Sequence, residues 1–522
     1  MSLDVVREAM KVIQVVGEDT TQRVVENDII VPDIKPDIAR ILLLDGDVFV
    51  NSTEIAQDRV LVNGTIRYKI LYISDDEEQS IKSINTNAAF SYGLDIPNSR
   101  QGMKCKVKCD IEHFDYEILN GRKINVRAIL KLNGKVTNGL EQSFINDIAG
   151  IEDIQVLRNS YNFNCYLGRG ESSSTIREAM EIPPGKPAIR EILRNDIKIS
   201  NKDYKITDDK VIVKGEVNVS TLYIGDDEER SVQFMEHEVP FTQFVDMPGI
   251  DEDARVEVDY NIVDTMFDAE ENSDGELRTL KGEIVLDFIA DGFTKKAIEI
   301  IADAYSPHSR INLESEPFKV EEIVEDNKSQ IVLKDTVTVD DGSPDIAEVF
   351  NVLCKPVLSE YNIVDDKIII EGLVNNNVLY LANNSEQPIF CYEQDIPIRH
   401  TVDVRGIKPG MSCEIELDIE HCNYSMISSN EVELRLVVGA NARVIKQISL
   451  PLIGKVNESL LDDKRAVSQP SITIYFSQPG DNLWKIAKKY LATMDEIRKA
   501  NNLADTDLIK PGQQIYIPRR AT

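Results

Sequence analysis

Hydrophobic and polar residues alternate with period two through most of the chain ahead of residue 471. The clearest stretch runs from Val60 to Ile73, and two equally long stretches run from Val211 to Ile224 and from Ile368 to Leu381. Alternation of this kind predicts a β-strand with one buried face and one polar face. Because most segments follow this pattern and few have helical spacing, the sequence predicts a mainly β body.

This body contains three copies of one unit. A motif at Pro36 recurs at Pro187 and Pro344, at shifts of 151 and 157 residues. The same two shifts relate a glycine within each long strand and a tyrosine near its end, namely Gly64, Gly215 and Gly372, and Tyr72, Tyr223 and Tyr380. Since separate markers keep one register, we predict a triplicated domain, with copies at 1–150, 151–312 and 313–462. A period of this length gives each copy its own core.

The proline motif predicts one short helix in each copy. Proline is tolerated at the first helical position, because the amide there has no partner within the helix. In the first copy, Ile38, Ile41 and Leu42 follow at i, i+3 and i+4, which is the spacing of one helix face. The predicted fold class is therefore mainly β, with three tandem β-sandwich or barrel-like domains that each carry a short helix.

The pattern changes after a linker at 463–470, where a small module occupies residues 471–520. Its first half has a predicted helical stripe, formed by Leu483, Ile486, Ala487 and Tyr490. Asp481 or Asn482 can cap this helix, and Thr493 is the predicted N-cap of a second helix. Strand-like segments precede and follow, so the predicted order is strand, helix, helix, strand.

Charge is distributed unevenly along the chain. The formal net charge of −32 argues against a nucleic-acid partner. Residues 471–522 hold eight Lys and Arg against five Asp and Glu, a net +3, so the rest of the chain carries −35. A basic tip on an acidic body could orient an encounter with a partner, or could serve solubility.

The sequence has none of the residue spacings that typify an enzyme or a metalloprotein. Its five histidines include no pair at ligand spacing, and its seven cysteines follow no zinc or disulfide pattern. We therefore expect no catalytic residue, no metal and no cofactor. No segment is apolar and long enough to span a bilayer, and residues 1–8 do not resemble the start of a secretory signal. These features predict a cytoplasmic protein without direct membrane insertion.

The C-terminal module resembles a LysM domain, on the run from Gln478 to Tyr490 and the closing segment from Pro511 to Pro518. Triplicated, acidic, β-rich units with this proline motif, followed by a LysM, resemble the SipL family of clostridial spore morphogenetic proteins, whose repeats are SPOCS domains. The LysM resemblance implies a βααβ fold with a groove between two loops that binds N-acetylglucosamine chains. The groove residues implied here are Pro479, Gly480, Asp481, Asn482, Leu483, Asp507, Leu508, Ile509, Lys510 and Pro511.

The first strand of the module has an apolar face that a free-standing LysM would leave uncovered. Tyr475 and Ser477 are expected to point inward, although an inward valine is commoner than serine at the second position. The residues that alternation then points outward are Ile472, Ile474 and Phe476. Two coverings are possible, either the third body domain or the linker folding back, or a protein partner. Trp484 is a candidate second anchor for the partner, or else a half-buried wall of the groove.

The family resemblance implies a role in the mother cell, at the forespore surface, where the LysM binds SpoIVA, a polymerising coat ATPase. We therefore hypothesise a non-enzymatic scaffold of the spore coat that holds a SpoIVA-like ATPase through its LysM domain and tethers the coat around the forespore. Other coat proteins or a second copy of this chain are possible further partners. The alternative is a peptidoglycan-binding protein of the cell wall or of a phage particle, which would need export or lysis to reach its glycan.

Overall fold

Six antiparallel strands form each of the three copies in the computed structural model, which describes residues 4–76, 80–228, 230–340, 342–382, 389–460, 472–504 and 508–518. The first copy contains β1 (Asp4–Ile30), β2 (Ile38–Ala56), β3 (Arg59–Ser74), β4 (Ile81–Asp95), β5 (Lys104–Asn120) and β6 (Lys123–Ala149). The second contains β7 (Gln155–Glu181), β8 (Ile189–Thr207), β9 (Lys210–Gly225), β10 (Val232–Asp246), β11 (Arg255–Glu271) and β12 (Leu277–Tyr305). The third contains β13 (Ser309–Thr338), β14 (Ile346–Val364), β15 (Lys367–Ala382), β16 (Ile389–Asp403), β17 (Ser412–Ser428) and β18 (Glu431–Leu460). The mainly β body predicted from the alternation is confirmed.

Each copy is a sandwich of two three-stranded sheets. In the first copy the sheet orders are β2-β3-β4 and β1-β6-β5, and the other two copies repeat both orders. The long alternating strands predicted from sequence are the central strands β3, β9 and β15, while β6, β12 and β18 are central in the other sheet. On β6 the core-facing residues are fully buried, namely Ile124, Val126, Ala128, Leu130 and Leu132. The space between the two sheets is therefore filled by alternating apolar side chains, as a sandwich core requires.

The helix predicted after each proline motif is wrong. Strand β2 begins at Ile38, two residues after Pro36, and the buried residues near its start are Ile38, Ile41 and Leu43. Pairing of β2 with β3 shifts register between Ile38 and Arg40 and again between Ile41 and Leu43, and β8 and β14 shift at the equivalent places. Each β-bulge inserts an extra residue into the strand. Two bulges thus bury Ile38 and Ile41, which are three residues apart, and that interval also occurs on one face of a helix.

The copies follow one another with short connections. Strand β6 ends at Ala149 and β7 begins at Gln155, so the predicted boundary after residue 150 falls between them. Strand β13 begins at Ser309, so the predicted boundary between residues 312 and 313 falls inside that strand. The predicted boundary falls inside β13 because the first strand of each copy extends well beyond its own sandwich core.

The three copies pack around an approximate threefold axis. One hydrophobic cluster contains the equivalent residues Leu71, Leu222 and Leu379. A second cluster, formed by the long first and last strands of the copies, contains the equivalent residues Phe144, Ile300 and Leu452. In each cluster, equivalent side chains of all three copies are packed into one group, which is what a threefold arrangement produces. The body is therefore a pseudo-threefold arrangement of three copies within one chain. Hydrophobic contacts between the copies stabilise it, in addition to the three separate cores.

A polar cavity of about 2930 Å³ lies between the three copies. Its wall includes residues of β2 and β5 and of their counterparts β8, β11, β14 and β17. Ion pairs join the copies beside it, namely Lys106–Asp259 at 2.7 Å, Arg443–Glu257 at 2.9 Å and Lys135–Glu414 at 2.7 Å. Because the paired residues differ from one boundary to the next, the copies are not interchangeable in this arrangement.

The C-terminal module has the predicted order of strand, helix, helix and strand. Its elements are β19 (Ile472–Phe476), α1 (Leu483–Tyr490), α2 (Met494–Asn501) and β20 (Gln514–Pro518), with β19 and β20 antiparallel. Asn482 caps α1 by accepting a hydrogen bond from the Lys485 amide at 2.8 Å. Thr493 and Glu496 form a capping box at the start of α2. The predicted linker at 463–470 and the outermost residues of the predicted module, 471 and 519–520, lie outside the described residues.

Candidate partner-binding site

Four large side chains form an exposed apolar surface on the C-terminal module. We call this surface the outer face, and it consists of Ile472, Ile474 and Phe476 on β19 and Tyr516 on β20. Their exposed fractions are 59%, 52%, 62% and 43%. Ile474 and Tyr516 are direct cross-strand neighbours, so the four side chains lie on one side of the two-stranded sheet. This orientation is the one that the alternation along β19 predicts.

The opposite side of the same sheet forms the core of the module. Ile515 and Ile517 of β20 are buried there, and Tyr475 of β19 is half-buried against Tyr490 of α1, with ring centroids 5.6 Å apart. Both helices pack on that side, and nothing among the described residues covers the outer face. Exposure of the outer face therefore follows directly from the period-two geometry of a strand with one face in a core.

The role suggested for Trp484 from sequence needs correction. The indole is only 7% exposed and packs edge-on against Tyr305 of β12, with ring centroids 5.0 Å apart and an interplanar angle of 72°. Its Nε1–H group donates a hydrogen bond to Asp303 Oδ2 at 3.0 Å. Because the ring is already buried against the body, Trp484 does not belong to the outer face. It anchors the module to the second copy instead.

Further contacts complete this docking. Lys488 of α1 donates to both carboxylate oxygens of Asp303, at 2.7 and 2.8 Å. The hydroxyl of Tyr305 donates to the carbonyl of Ala492 at 2.9 Å, and burial raises the pKa of that hydroxyl, so it remains a donor at neutral pH. The docked side of the module therefore consists of α1 and the turn after it, whereas the outer face lies on its sheet.

Only the second copy offers these docking residues. The positions equivalent to Tyr305 hold Ala149 in the first copy and Asn457 in the third. Asp147, which corresponds to Asp303, already accepts a hydrogen bond from Arg158 at 2.5 Å. Sequence reasoning had no signal for this contact, because the partners are far apart in the chain and the relevant difference is between copies of a repeat.

The two loops of the implied glycan groove are joined by Ser477. Its hydroxyl donates to the Lys510 carbonyl at 2.5 Å and accepts from the Gln513 amide at 3.0 Å, while its own carbonyl accepts from the Gly512 amide at 2.7 Å. The buried serine thus hydrogen-bonds across the loops where an inward valine would only pack. The sequence comparison indicated only that valine is commoner at this position, and it missed the role of the serine.

The loop from Pro479 to Leu483 is braced by Asp481. Its carboxylate accepts from the Gln478 amide at 2.8 Å and from the Tyr475 hydroxyl at 2.7 Å, and these bonds lower the pKa of Asp481. In the second loop, Leu508 is 87% exposed and Ile509 is half-buried, whereas Asp507 lies outside the described residues. Most of the implied groove residues are accessible, so the docking on the body leaves these loops open.

One group of three potential metal ligands occurs within the described ranges, formed by Glu152, Asp153 and His308. It lies at the connections between copies, where His308 Nε2 and Asp153 Oδ2 are 3.3 Å apart. The group is largely exposed, and a contact of this kind is common at protein surfaces without an ion.

Among the described residues, no helix is both long and apolar enough to cross a membrane.

Matches to known families divide the chain into the same parts as the fold, namely three copies and a C-terminal module. The family described as "SipL, SPOCS domain" matches residues 37–119, 188–270 and 345–427, and the family described as "LysM domain" matches residues 478–518. Each SPOCS match covers the second to fifth strands of one copy. The protein is thus a repeated β-domain protein with a terminal binding module. It contains three domains that match the SPOCS domain of the SipL family and a C-terminal LysM domain, and no catalytic domain is among the matches.

Two curated relatives are similar to a short stretch of this chain. A stretch of 49 residues is 47% identical to "Spore coat assembly protein ExsA" of Bacillus cereus and covers 9% of this chain and 8% of that protein. A stretch of 46 residues is 48% identical to "SpoIVD-associated factor A" of Bacillus subtilis and covers 9% of this chain and 12% of that protein. The matched stretches are thus a small part of each relative. No solved structure gives a significant match.

Proposed function

We propose that this protein is a non-enzymatic scaffold of the spore coat, whose LysM domain binds a SpoIVA-like coat ATPase through the outer face. It would act in the mother cell, at the forespore surface, and help to enclose the forespore in coat. The observation that carries this proposal is the exposure of Ile472, Ile474 and Phe476 on a strand of only five residues. An apolar surface of this kind on a folded domain typically marks a protein contact.

The energetics of the outer face favour a protein ligand over a glycan. Covering the exposed part of each large apolar side chain contributes roughly 1 kcal/mol, so the four together would contribute several kcal/mol to binding. A sugar chain offers hydroxyl groups that need polar partners, and the polar groups on this side of the sheet are few, namely the Tyr516 hydroxyl and the Gln514 amide that donates to it at 2.9 Å. A protein with a complementary apolar patch is therefore the better match.

Docking of the LysM domain on the body supports the scaffold role. The contacts of Trp484 and Lys488 with Asp303 hold the domain against the second copy, with the outer face free. A fixed orientation reduces the entropy lost when a partner binds. The three acidic copies would serve as a rigid support, and other coat proteins or a second copy of this chain remain candidate ligands for their surfaces.

A pair of matched substitutions in the full-length chain tests the proposal. Ile474→Asp places a charge in the centre of the outer face, and Leu508→Asp makes the same change on an exposed groove loop. With purified SpoIVA-type ATPase as the ligand, we expect Ile474→Asp to weaken binding at least roughly tenfold and Leu508→Asp to leave it near the wild-type value. Circular dichroism of both variants checks that the fold is retained.

The alternative function is peptidoglycan binding, and the accessible loops around Pro479 and Lys510 favour it. In that case chito-oligosaccharides should bind the full-length protein, and Leu508→Asp should reduce that binding while Ile474→Asp should not. Equal binding of the ATPase by the wild-type protein and Ile474→Asp would overturn the scaffold proposal, whatever the glycan result. Sedimentation of both variants shows whether the outer face instead joins two copies of this chain.

A further inference from the structure

Two thiols of the third copy lie in direct contact across its sandwich. Cys354 is on β14 and Cys422 is on β17, and their sulfur atoms are 3.3 Å apart. The two strands belong to different sheets of the sandwich. Both side chains are half-buried and have no disulfide partner. The structure therefore places two cysteines, remote in sequence, within reach of each other.

The fold itself creates this proximity. The equivalent positions in the first copy hold Gly46 and Phe114, and a Cβ atom added at Gly46 would lie 3.2 Å from the Phe114 ring. The two positions therefore also meet in a copy that has no thiols there. In the second copy the position of Cys422 holds Thr265, so a small polar side chain is compatible with the strand. The thiol pair uses a cross-sheet contact that the repeat already provides.

The surroundings favour reaction at Cys422. The contact with Cys354 lowers the pKa of Cys422, burial opposes this, and the Lys198 ammonium of the neighbouring copy lowers it further; the same contact and burial raise the pKa of Cys354. Burial raises the pKa of two cysteines on the cavity wall, to about 11 for Cys105 and about 12 for Cys109, whereas Cys422 is not part of that wall. Since the thiolate is the nucleophile, Cys422 is the most reactive of these thiols.

Cys354 lies on the wall of the cavity between the three copies. A small uncharged oxidant in the cavity can therefore reach Cys354, and Cys422 is itself only half-buried, so neither thiol needs unfolding of the sandwich to meet solvent. Cys391 and Cys413, the other cysteines of this copy, also have pKa values raised by burial, to about 12 and about 11. The pair thus combines access with a nearby second thiol.

We propose that Cys354 and Cys422 form a redox-active dithiol, which hydrogen peroxide converts reversibly into a disulfide. In the first step the Cys422 thiolate attacks a peroxide oxygen, the O–O bond breaks, and after proton uptake the products are Cys422 sulfenic acid and water. In the second step the Cys354 sulfur attacks the sulfenic sulfur and releases a second water. Overall two thiols and one hydrogen peroxide give one disulfide and two waters, and an added dithiol reverses the change.

The bond would fasten the two sheets of the third copy to each other beside the central cavity. It closes a chain segment whose ends are 68 residues apart in sequence, and closure of a long segment restricts the unfolded state. We therefore expect the oxidised protein to unfold at a higher temperature than the reduced protein. The proposal is independent of the LysM domain and of its ligand.

Peptide mapping of the full-length protein tests this site. The reduced protein is treated with hydrogen peroxide, its free thiols are alkylated, and the peptides are identified by mass spectrometry. We expect a linked pair containing Cys354 and Cys422, two hydrogens lighter than the separate peptides, which forms roughly tenfold faster than oxidation at Cys109. Dithiothreitol should restore both thiols, and the matched variant Cys109→Ser should form the same link.

Two further variants separate the two steps. Cys354→Ser should stop at a sulfenic acid on Cys422, which dimedone traps, whereas Cys422→Ser should leave Cys354 no more reactive than Cys109. Oxidation of Cys105 and Cys109 without formation of the 354–422 link would overturn the proposal. So would a folded Cys354→Ser protein that yields no dimedone adduct at Cys422.

Discussion

The phenolic hydroxyl of Tyr72 donates a hydrogen bond of 3.0 Å to the backbone carbonyl of Pro36. The same bond recurs in the other copies, in the pairs Tyr223–Pro187 at 3.0 Å and Tyr380–Pro344 at 3.2 Å. Burial raises the pKa of each of the three hydroxyls to about 12, so each remains a donor at neutral pH. The bond ties the turn ahead of the second strand to the central strand, which explains why the proline and tyrosine markers recur together.

Removal of one such hydroxyl should destabilise the body. In Tyr72→Phe the Pro36 carbonyl loses its partner in a partly buried site, and we expect a loss of about 1–2 kcal/mol in the free energy of unfolding. Tyr92→Phe is the control, because the Tyr92 hydroxyl donates to the Val24 carbonyl at 2.7 Å in an exposed place where water can replace it. Urea denaturation compares the two, and equal losses would contradict the structural role of the Tyr72 bond.

The glycine in each long strand is required by close packing. A Cβ atom at Gly64 would lie 2.3 Å from Phe90 Cζ and 2.6 Å from the Phe49 carbonyl oxygen. Gly64→Ala should therefore force these groups apart and lower the free energy of unfolding by about 1–3 kcal/mol. Gly139→Ala is the matched control on β6, since a Cβ there meets no atom within 4 Å. Thermal unfolding should show a clear decrease for the first variant and little change for the second.

Docking of the LysM domain can be followed through Trp484, because it is the only tryptophan in the chain. Tyr305→Ala removes the ring that packs against the indole, so the tryptophan emission should shift to longer wavelength as water reaches it. Tyr361→Ala, at an exposed tyrosine of the third copy, should leave the emission unchanged. An unshifted spectrum for Tyr305→Ala would show that the indole is shielded without the body contact.

The repeat and the strands were predictable because period-two alternation directly reflects burial on one face. The proline motif misled the prediction for a physical reason. Bulges at the start of β2 bury Ile38, Ile41 and Leu43, and the three-residue interval between the first two also occurs on one face of a helix. Distinguishing a bulged strand from a helix requires the hydrogen-bond register, which a single sequence does not contain.

The candidate site was predictable in part. Alternation along β19 was enough to orient Ile474 and its neighbours outward, because the inward residues of that strand are recognisable. The docking of Trp484 on Tyr305 depends on how two distant domains meet, and the sequence pattern of either domain alone carries no sign of it. The function of the outer face stays a prediction for the binding experiment.

An ion-pair network around the buried guanidinium of Arg194 joins the first and second copies. Asp196 accepts hydrogen bonds from Arg194 Nε at 2.6 Å and from Lys69 Nζ at 3.0 Å. Arg194 also donates to Asp45 of the first copy at 2.5 Å. Burial alone would raise the pKa of Asp196, but the two neighbouring cations outweigh it and lower that pKa to about 2. The network therefore makes the contact between these copies sensitive to acid.

The sign of this sensitivity follows from proton linkage. An aspartate in the unfolded chain has a pKa of roughly 4, so above that pH both states are ionised and the Asp196 interaction contributes in full. Between about pH 4 and pH 2 the unfolded state binds a proton that the folded state does not, so stability falls as the pH falls, by about 2 kcal/mol in total.

The variant Asp196→Asn should lower the free energy of unfolding at pH 7 and should make that free energy decline less steeply below pH 4. Asp268→Asn, at an exposed aspartate of β11, should leave both unchanged. Urea unfolding between pH 2.5 and pH 7 measures the curves, and a constant difference between wild type and Asp196→Asn over that range would contradict the assignment.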